Sequence, residues 1–170
     1  KSDCTRGYGA PCLQTLDDGS PPDLKEGFVI GNDLGPDHPY VIAGVPNGGA
    51  NQWPVKPEGF RARYETYLVE MFRLGKHLTS LLALSLGLPE DYFGNGMKEP
   101  LFNSRLLKYG PQPADAAFNQ MGAGAHTDWG MITILMQDDV GGLEVENAAG
   151  EWIAAPPIAG TFVINLGELV

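Results

Sequence analysis

The fold of this chain is decided by the stretch Gly122-Ala-Gly-Ala-His126-Thr-Asp128-Trp-Gly-Met-Ile-Thr-Ile-Leu-Met-Gln-Asp-Asp-Val-Gly-Gly-Leu-Glu-Val145. Because residues two apart in a β-strand point to the same face, His126 and Asp128 can aim an imidazole and a carboxylate at one point. These are two of the three ligands of a facial triad, which suits iron(II) and leaves coordination positions open. The sequence has no histidine after His126 to serve as the third ligand.

A histidine and an aspartate two residues apart are a weak motif on their own. Their spacing alone favours an ordinary hydrogen bond between the two side chains at the end of a strand. The small residues 122–125 leave room for an ion, whereas a zinc site would need a third nitrogen or sulfur ligand that the spacing does not offer. His38, in a turn-rich loop, and His77, in a helical segment, are weaker candidates.

The composition is that of one folded domain. The 170 residues are 43% hydrophobic, which is enough to form a core. The formal net charge of -10 argues against nucleic acid and anionic membranes as main partners. No apolar run is long enough to cross a membrane and no signal peptide is recognisable, so we expect a soluble, cytoplasmic protein. Cys4 and Cys12 are then two reduced thiols, with a disulfide between them as the alternative.

One long amphipathic helix is predicted over residues 58–86. Apolar residues recur there every three or four positions, which is typical of a helix with one buried stripe. Pro57 stands at the entry and Gly87 at the exit, as helix ends favour. With a second helical turn over residues 89–93, the helical segment covers residues 57–93.

Short strands are predicted on both sides of the helix. Residues 1–56 are rich in glycine and proline and predict an irregular region, with extended pieces at 27–30 and 40–43. Residues 94–170 alternate between strands and turns. The predicted strands are 101–109, 131–137, 143–146, 151–154 and 161–166, with a hairpin turn at 147–150. Many short strands with regular turns favour a sandwich or jelly roll over a parallel sheet.

Four stretches, one of them within the segment quoted above, make the chain recognisable. They are residues 22–28 (PDLKEGF), 105–113 (RLLKYGPQP), 124–143 (GAHTDWG through QDDVGGL) and 151–167 (EWI through GTFVINLG). Together they resemble the iron(II)- and 2-oxoglutarate-dependent dioxygenases of the isopenicillin N synthase-like superfamily. The resemblance runs over nearly the whole chain, and the four stretches in combination are highly specific. With them, metal binding becomes the favoured interpretation of the histidine and the aspartate.

The resemblance implies an α+β, mainly β fold: a double-stranded β-helix, or jelly roll, with the long helix packed outside it. It implies that His126 and Asp128 are the first two iron ligands and that Tyr109 helps to hold the 2-oxoglutarate carboxylate or the substrate. Iron(II), 2-oxoglutarate and O2 would then serve to hydroxylate, desaturate or cyclise a small organic substrate. Leu107 stands where many plant relatives carry asparagine, and Glu168 where aspartate is usual.

The resemblance also implies that this chain is the middle of a longer oxygenase. In the family, the third ligand and an Arg-x-Ser pair that grips 2-oxoglutarate lie on later strands, beyond Val170. We therefore expect residues 94–170 to form only the first part of the jelly roll, and the 170-residue polypeptide alone to be inactive. The alternatives are an oxidase of the isopenicillin N synthase type that uses no 2-oxoglutarate, a non-catalytic relative and a truncated product. Trp129, Phe118 and Tyr109 are candidates to line an apolar substrate pocket, or are core residues.

Overall fold

The computed structural model describes residues 5–17 and 19–169. The chain forms two compact units, Lys1–His126 (unit 1) and Thr127–Val170 (unit 2). Among the described residues, seven short strands and two helices are present. Cys12 is an exposed free thiol, while the other cysteine of the predicted pair, Cys4, lies outside the described residues. None of the helices in the described part of the chain combines the length and apolar character needed to span a bilayer.

Unit 1 contains a three-stranded antiparallel sheet. Its strands are β1 (Gly7–Gly9), β2 (Lys25–Gly31) and β3 (Asn103–Tyr109), with β2 in the middle. In the pairing of β2 with β3, Lys25 lies opposite Tyr109. The beginning of β2 and the end of β3 therefore meet at one end of the sheet, and this end carries Tyr109.

Two helices follow β2, and the first lies where the sequence predicted an extended segment. Residues 40–43 are not extended, because helix α1 covers Pro39–Ile42. Pro39 takes the first helical position, where its fixed φ is suitable and no N–H is needed. His38 caps the helix, since its Nδ1 accepts a hydrogen bond from the Tyr40 N–H at 3.2 Å. This local capping outweighs the strand preference of the branched residues that follow.

The long helix α2 covers Phe60–Ser85, as predicted. Gly59 precedes it at φ 73°, a left-handed conformation that glycine adopts without strain. At the other end the Leu88 N–H donates to the Ala83 carbonyl at 2.9 Å, closing the helix around Gly87. A hydrogen-bonded turn with a 3.0 Å contact between the Tyr92 N–H and the Pro89 carbonyl follows in the predicted place.

The core of unit 1 lies where α2 packs on the sheet. The rings of Phe28 on β2 and Phe60 on α2 meet edge to face, with centroids 5.7 Å apart. Tyr64 is buried, and its hydroxyl lies 2.7 Å from Oγ of Ser104 on β3. The predicted apolar stripe is nevertheless buried only in part, since Leu81 is 48% exposed.

Unit 2 consists of two antiparallel strand pairs. Strand β4 (Ile132–Leu135) pairs with β7 (Val163–Leu166), and β5 (Glu144–Glu146) pairs with β6 (Trp152–Ala154). The β5–β6 hairpin turns at residues 147–150, where the Asn147 N–H donates to the Glu151 carbonyl at 2.9 Å. All four strands lie within their predicted ranges. Strand β7 thus lies beside β4, and the β5–β6 hairpin lies between these two strands in the sequence.

Candidate functional site

His126 is the last residue of unit 1 and follows a loop after β3. Its Nδ1 lies 2.8 Å from the carbonyl oxygen of Gly124, and its side chain is exposed. When Nδ1 carries the proton and donates to this carbonyl, Nε2 has the lone pair that binds a metal ion. Histidine ligands in metalloproteins usually donate their second ring nitrogen in this way. The surroundings of His126 therefore suit a metal ligand.

The backbone that leads to His126 is fastened to the beginning of β2. The Leu24 N–H donates to the Met121 carbonyl at 2.9 Å, and the Lys25 N–H donates to the Gly122 carbonyl at 3.1 Å. These bonds place the segment 121–124 alongside residues 24 and 25. Because Lys25 lies opposite Tyr109 in the sheet, the same end of unit 1 carries both Tyr109 and the segment that precedes His126.

Tyr109 packs against this segment. A Cβ added to Gly122 would lie 2.7 Å from Cδ1 of Tyr109, so the ring covers the glycine backbone closely. Burial raises the pKa of Tyr109 above its ordinary value; the charge of Asp23 acts in the same direction, and that of Arg105 acts against it. The phenol therefore keeps its proton at neutral pH and can donate a hydrogen bond to a carboxylate.

Asp128 belongs to unit 2 and is oriented by a residue that the sequence analysis did not single out. The side-chain amide of Asn165, on β7, donates to Oδ2 of Asp128 at 2.8 Å. A neutral donor on one oxygen fixes the carboxylate while leaving its charge in place, which is how ligating carboxylates are commonly supported. Asn165 stands within the family-like stretch 151–167, so the sequence marked its neighbourhood but did not reveal its contact with Asp128.

The backbone around Asp128 is held by residues that follow β7. The N–H groups of Gly167 and Glu168 donate to the carbonyls of Met131 and Asp128, each at 3.1 Å. A Cβ added to Gly167 would lie 2.5 Å from the Gly130 carbonyl oxygen, so only glycine fits there. Thr127 donates its hydroxyl to the carboxylate of Glu168. Glutamate, at a position where the family usually has aspartate, therefore helps to fasten the residue next to Asp128.

The remaining histidines and the two aromatic candidates for the substrate pocket do not form part of a metal site in the described structure. His38 caps α1, and His77 is exposed on α2. Phe118 is 92% exposed and Trp129 is 88% exposed, so neither is a core residue of its own unit. Within residues 5–17 and 19–169, no group of three or more His, Cys, Asp or Glu side chains lies close enough to hold a metal ion.

Comparisons with known proteins place these residues in a family. Residues 99–170 match the 2OG-Fe(II) oxygenase superfamily. The chain is 41% identical to the 2-oxoglutarate-Fe(II) type oxidoreductase hxnY of Emericella nidulans, over 97% of this chain and 49% of the relative. A full-length Neurospora crassa protein, solved in complex with alpha-KG, is 30% identical and superposes with a TM-score of 0.77 over 96% of this chain and 52% of that protein.

Two further structures extend the comparison. The same Neurospora crassa protein has also been solved in complex with alpha-KG and thymine; that structure is 29% identical, with a TM-score of 0.76 over 98% of this chain and 52% of the solved chain. JOX2 in complex with 2OG, Fe and JA is 25% identical, with a TM-score of 0.71 over 95% of this chain and 44% of JOX2. Residues 99–170 thus belong to the 2OG-Fe(II) oxygenase superfamily, which confirms the resemblance. The chain spans about half the length of the curated relatives it matches.

Proposed function

We propose that the protein containing this chain is a non-haem iron(II) oxygenase that uses 2-oxoglutarate and O2 to oxidise a small organic molecule. One observation carries the proposal: Nδ1 of His126 lies 2.8 Å from a backbone carbonyl, the arrangement that prepares Nε2 for a metal ion. The superfamily match covers His126 and Asp128. The alternative without 2-oxoglutarate is less well supported, because the relatives compared above carry 2-oxoglutarate in their names or in their structures.

The donor set of these residues fits iron(II). His126 and Asp128 would hold the metal through an imidazole nitrogen and a carboxylate oxygen, a combination that suits a borderline divalent ion. Each has an orienting partner of the usual kind, the Gly124 carbonyl for His126 and the Asn165 amide for Asp128. When bound, iron and 2-oxoglutarate supply the oxidising power that activates O2 toward the substrate.

The remaining residues would position the reactants. The Tyr109 hydroxyl, which keeps its proton, would donate a hydrogen bond to a carboxylate of 2-oxoglutarate or of the substrate. The exposed aromatic rings of Phe118 and Trp129 would contribute apolar contacts to a small organic substrate. The thymine complex of the Neurospora crassa protein supports a substrate of this size class. We also propose that residues 94–170 form the first part of a double-stranded β-helix, as the antiparallel pairing of β4 with β7 supports.

The test is turnover by the full-length protein that contains this chain. Succinate release should require both iron(II) and 2-oxoglutarate. His126→Ala and Asp128→Asn should each lower the rate by about 100-fold or more, since even the orienting partners of metal ligands contribute about 10–100-fold. His77→Ala removes an exposed histidine from α2 and serves as the matched control. Undiminished succinate release by His126→Ala would contradict the proposal.

A further inference from the structure

Asp23 is a buried carboxylate that the proposed chemistry does not use. It is 2% exposed and lies two residues before the start of β2. Its Oδ1 accepts a hydrogen bond from the Gly124 N–H at 3.0 Å, and its Oδ2 lies 2.9 Å from Nζ of Lys25. Its main chain is also held, because its N–H donates to the Gln14 carbonyl at 2.8 Å and its carbonyl accepts from the Cys12 N–H at 2.9 Å. Both the carboxylate and the main chain of Asp23 are therefore held in place.

Gly124 connects this carboxylate to His126. The glycine is buried, and a Cβ there would lie 3.0 Å from Cβ of Asp17, so its backbone packs tightly against the segment before β2. Its N–H is bound by Asp23, and its carbonyl is the one that Nδ1 of His126 approaches at 2.8 Å. These two groups belong to successive peptide units. Asp23 therefore acts on His126 by fixing the position of Gly124, and not through one continuous chain of hydrogen bonds.

We propose that Asp23 is a positioning residue for the metal ligand His126. By holding the Gly124 N–H, Asp23 fixes the position of the Gly124 carbonyl. This carbonyl in turn selects the Nδ1–H tautomer of His126 and the orientation of its imidazole. A hydrogen bond from a backbone N–H to an ionised carboxylate is stronger than one between neutral groups, and burial strengthens it further. The consequence for metal binding rests on the proposed function, whereas the consequence for the tautomer holds without any metal.

The test needs variants that remove the acceptor without leaving a buried charge unpaired. Asp23→Leu alone would strand the ammonium of Lys25, whose side chain is 9% exposed. We therefore combine each change with Lys25→Met. The double variant with Asp23→Asn keeps an oxygen for the Gly124 N–H, and the double variant with Asp23→Leu does not. Glu26→Gln, which breaks the neighbouring but more exposed ion pair with Lys108, is the control.

Two measurements on the full-length protein decide the matter. Nitrogen-15 NMR of the metal-free protein, at a pH where the imidazole is neutral, reports the His126 tautomer, and titration with Mn(II) reports metal affinity. Wild type, Glu26→Gln and the asparagine double variant should show the Nδ1–H tautomer and agree in Mn(II) affinity within about threefold. The leucine double variant should gain the Nε2–H tautomer and lose about 10–100-fold in affinity. An unchanged tautomer in the leucine double variant overturns the proposal.

The two hypotheses fail separately. If the wild-type protein does not bind Mn(II), the proposed metal site is contradicted, while the comparison of tautomers still tests Asp23. If the leucine double variant does not fold by circular dichroism, amide hydrogen exchange of wild-type Gly124 replaces it. A strongly protected Gly124 amide, with exchange accelerated in the asparagine double variant relative to wild type, supports the role of the carboxylate. Rapid exchange of Gly124 in wild type overturns it.

Discussion

Replacing Gly167 by alanine tests how strongly unit 2 depends on the close approach beside Asp128. The new Cβ would lie 2.5 Å from the Gly130 carbonyl oxygen and 2.7 Å from the Asp128 carbonyl oxygen. Both are backbone atoms, so no side chain can rotate away to make room. The segment 167–169 must then move away from residues 128–131. Three hydrogen bonds join these segments, donated by the N–H groups of residues 167, 168 and 169, each at 3.1 Å.

The expected cost has two parts. Inserting a methyl group into a tightly packed place typically costs about 1–3 kcal/mol. Each weakened backbone hydrogen bond adds up to about 0.5–1.5 kcal/mol. With partial relaxation we expect Gly167→Ala to lower the free energy of unfolding by about 3 kcal/mol, which is more than about a hundredfold in the folding equilibrium constant.

Urea unfolding of the full-length protein measures this loss. The matched control is Gly75→Ala, in the interior of α2, where an added Cβ meets no heavy atom within 4 Å. Alanine is the better helix former, so the control should gain up to about 1 kcal/mol. A Gly167→Ala protein within about 0.5 kcal/mol of wild type would refute the reasoning, because that range is expected only for substitutions away from tightly packed sites.

Three further predictions concern individual side chains. Tyr109→Phe keeps the ring on Gly122 but removes the hydroxyl, so steady-state kinetics should show about a tenfold higher KM for 2-oxoglutarate or for the substrate. Asn165→Leu removes the donor to Asp128, and titration should show Mn(II) affinity lower by about 10–100-fold. Burial raises the pKa of Tyr64, so the folded protein keeps a proton that the unfolded chain releases above about pH 10. Its contribution to stability is complete below that pH and is lost as the pH rises through the folded pKa, as urea unfolding at increasing pH should show.

Each of these predictions has a defined contrary result. A Tyr109→Phe enzyme with both KM values unchanged would exclude the hydroxyl from carboxylate binding. Mn(II) affinity equal to wild type in Asn165→Leu would show that Asp128 needs no support from β7. Tyr64→Phe should reduce the alkaline loss of stability relative to wild type. An identical decline with pH in wild type and Tyr64→Phe would contradict the role of Tyr64.

Patterns that are local in sequence predicted the elements well. The helix α2 followed from apolar residues at helical spacing and from Gly87, whose local geometry ends it. The strands of unit 2 followed from short apolar runs between turns. There were two exceptions: strand β1 (Gly7–Gly9) was not predicted, and residues 40–43 were expected to be extended although His38 and Pro39 begin helix α1 there. A cap and a first-position proline can decide four residues against their intrinsic preference.

Contacts between distant residues were not predictable in the same way. Asn165 is 37 residues from Asp128, and Asp23 is 101 residues from Gly124. Nothing in the local pattern of an asparagine or an aspartate reveals which distant group it will meet. The family-like stretches contain both residues, so the sequence marked their neighbourhoods but not their partners. The division of the chain after His126 was likewise not predicted.

The central claim is that His126 and Asp128 bind the metal ion of an oxygenase, and calorimetric titration with Mn(II) tests it most directly. The full-length wild-type protein should bind Mn(II) at a saturable site. His126→Ala and Asp128→Asn should each bind at least about 100-fold more weakly, and His77→Ala should bind as wild type does. Mn(II) binding that is equally tight in wild type, His126→Ala and Asp128→Asn would contradict the claim.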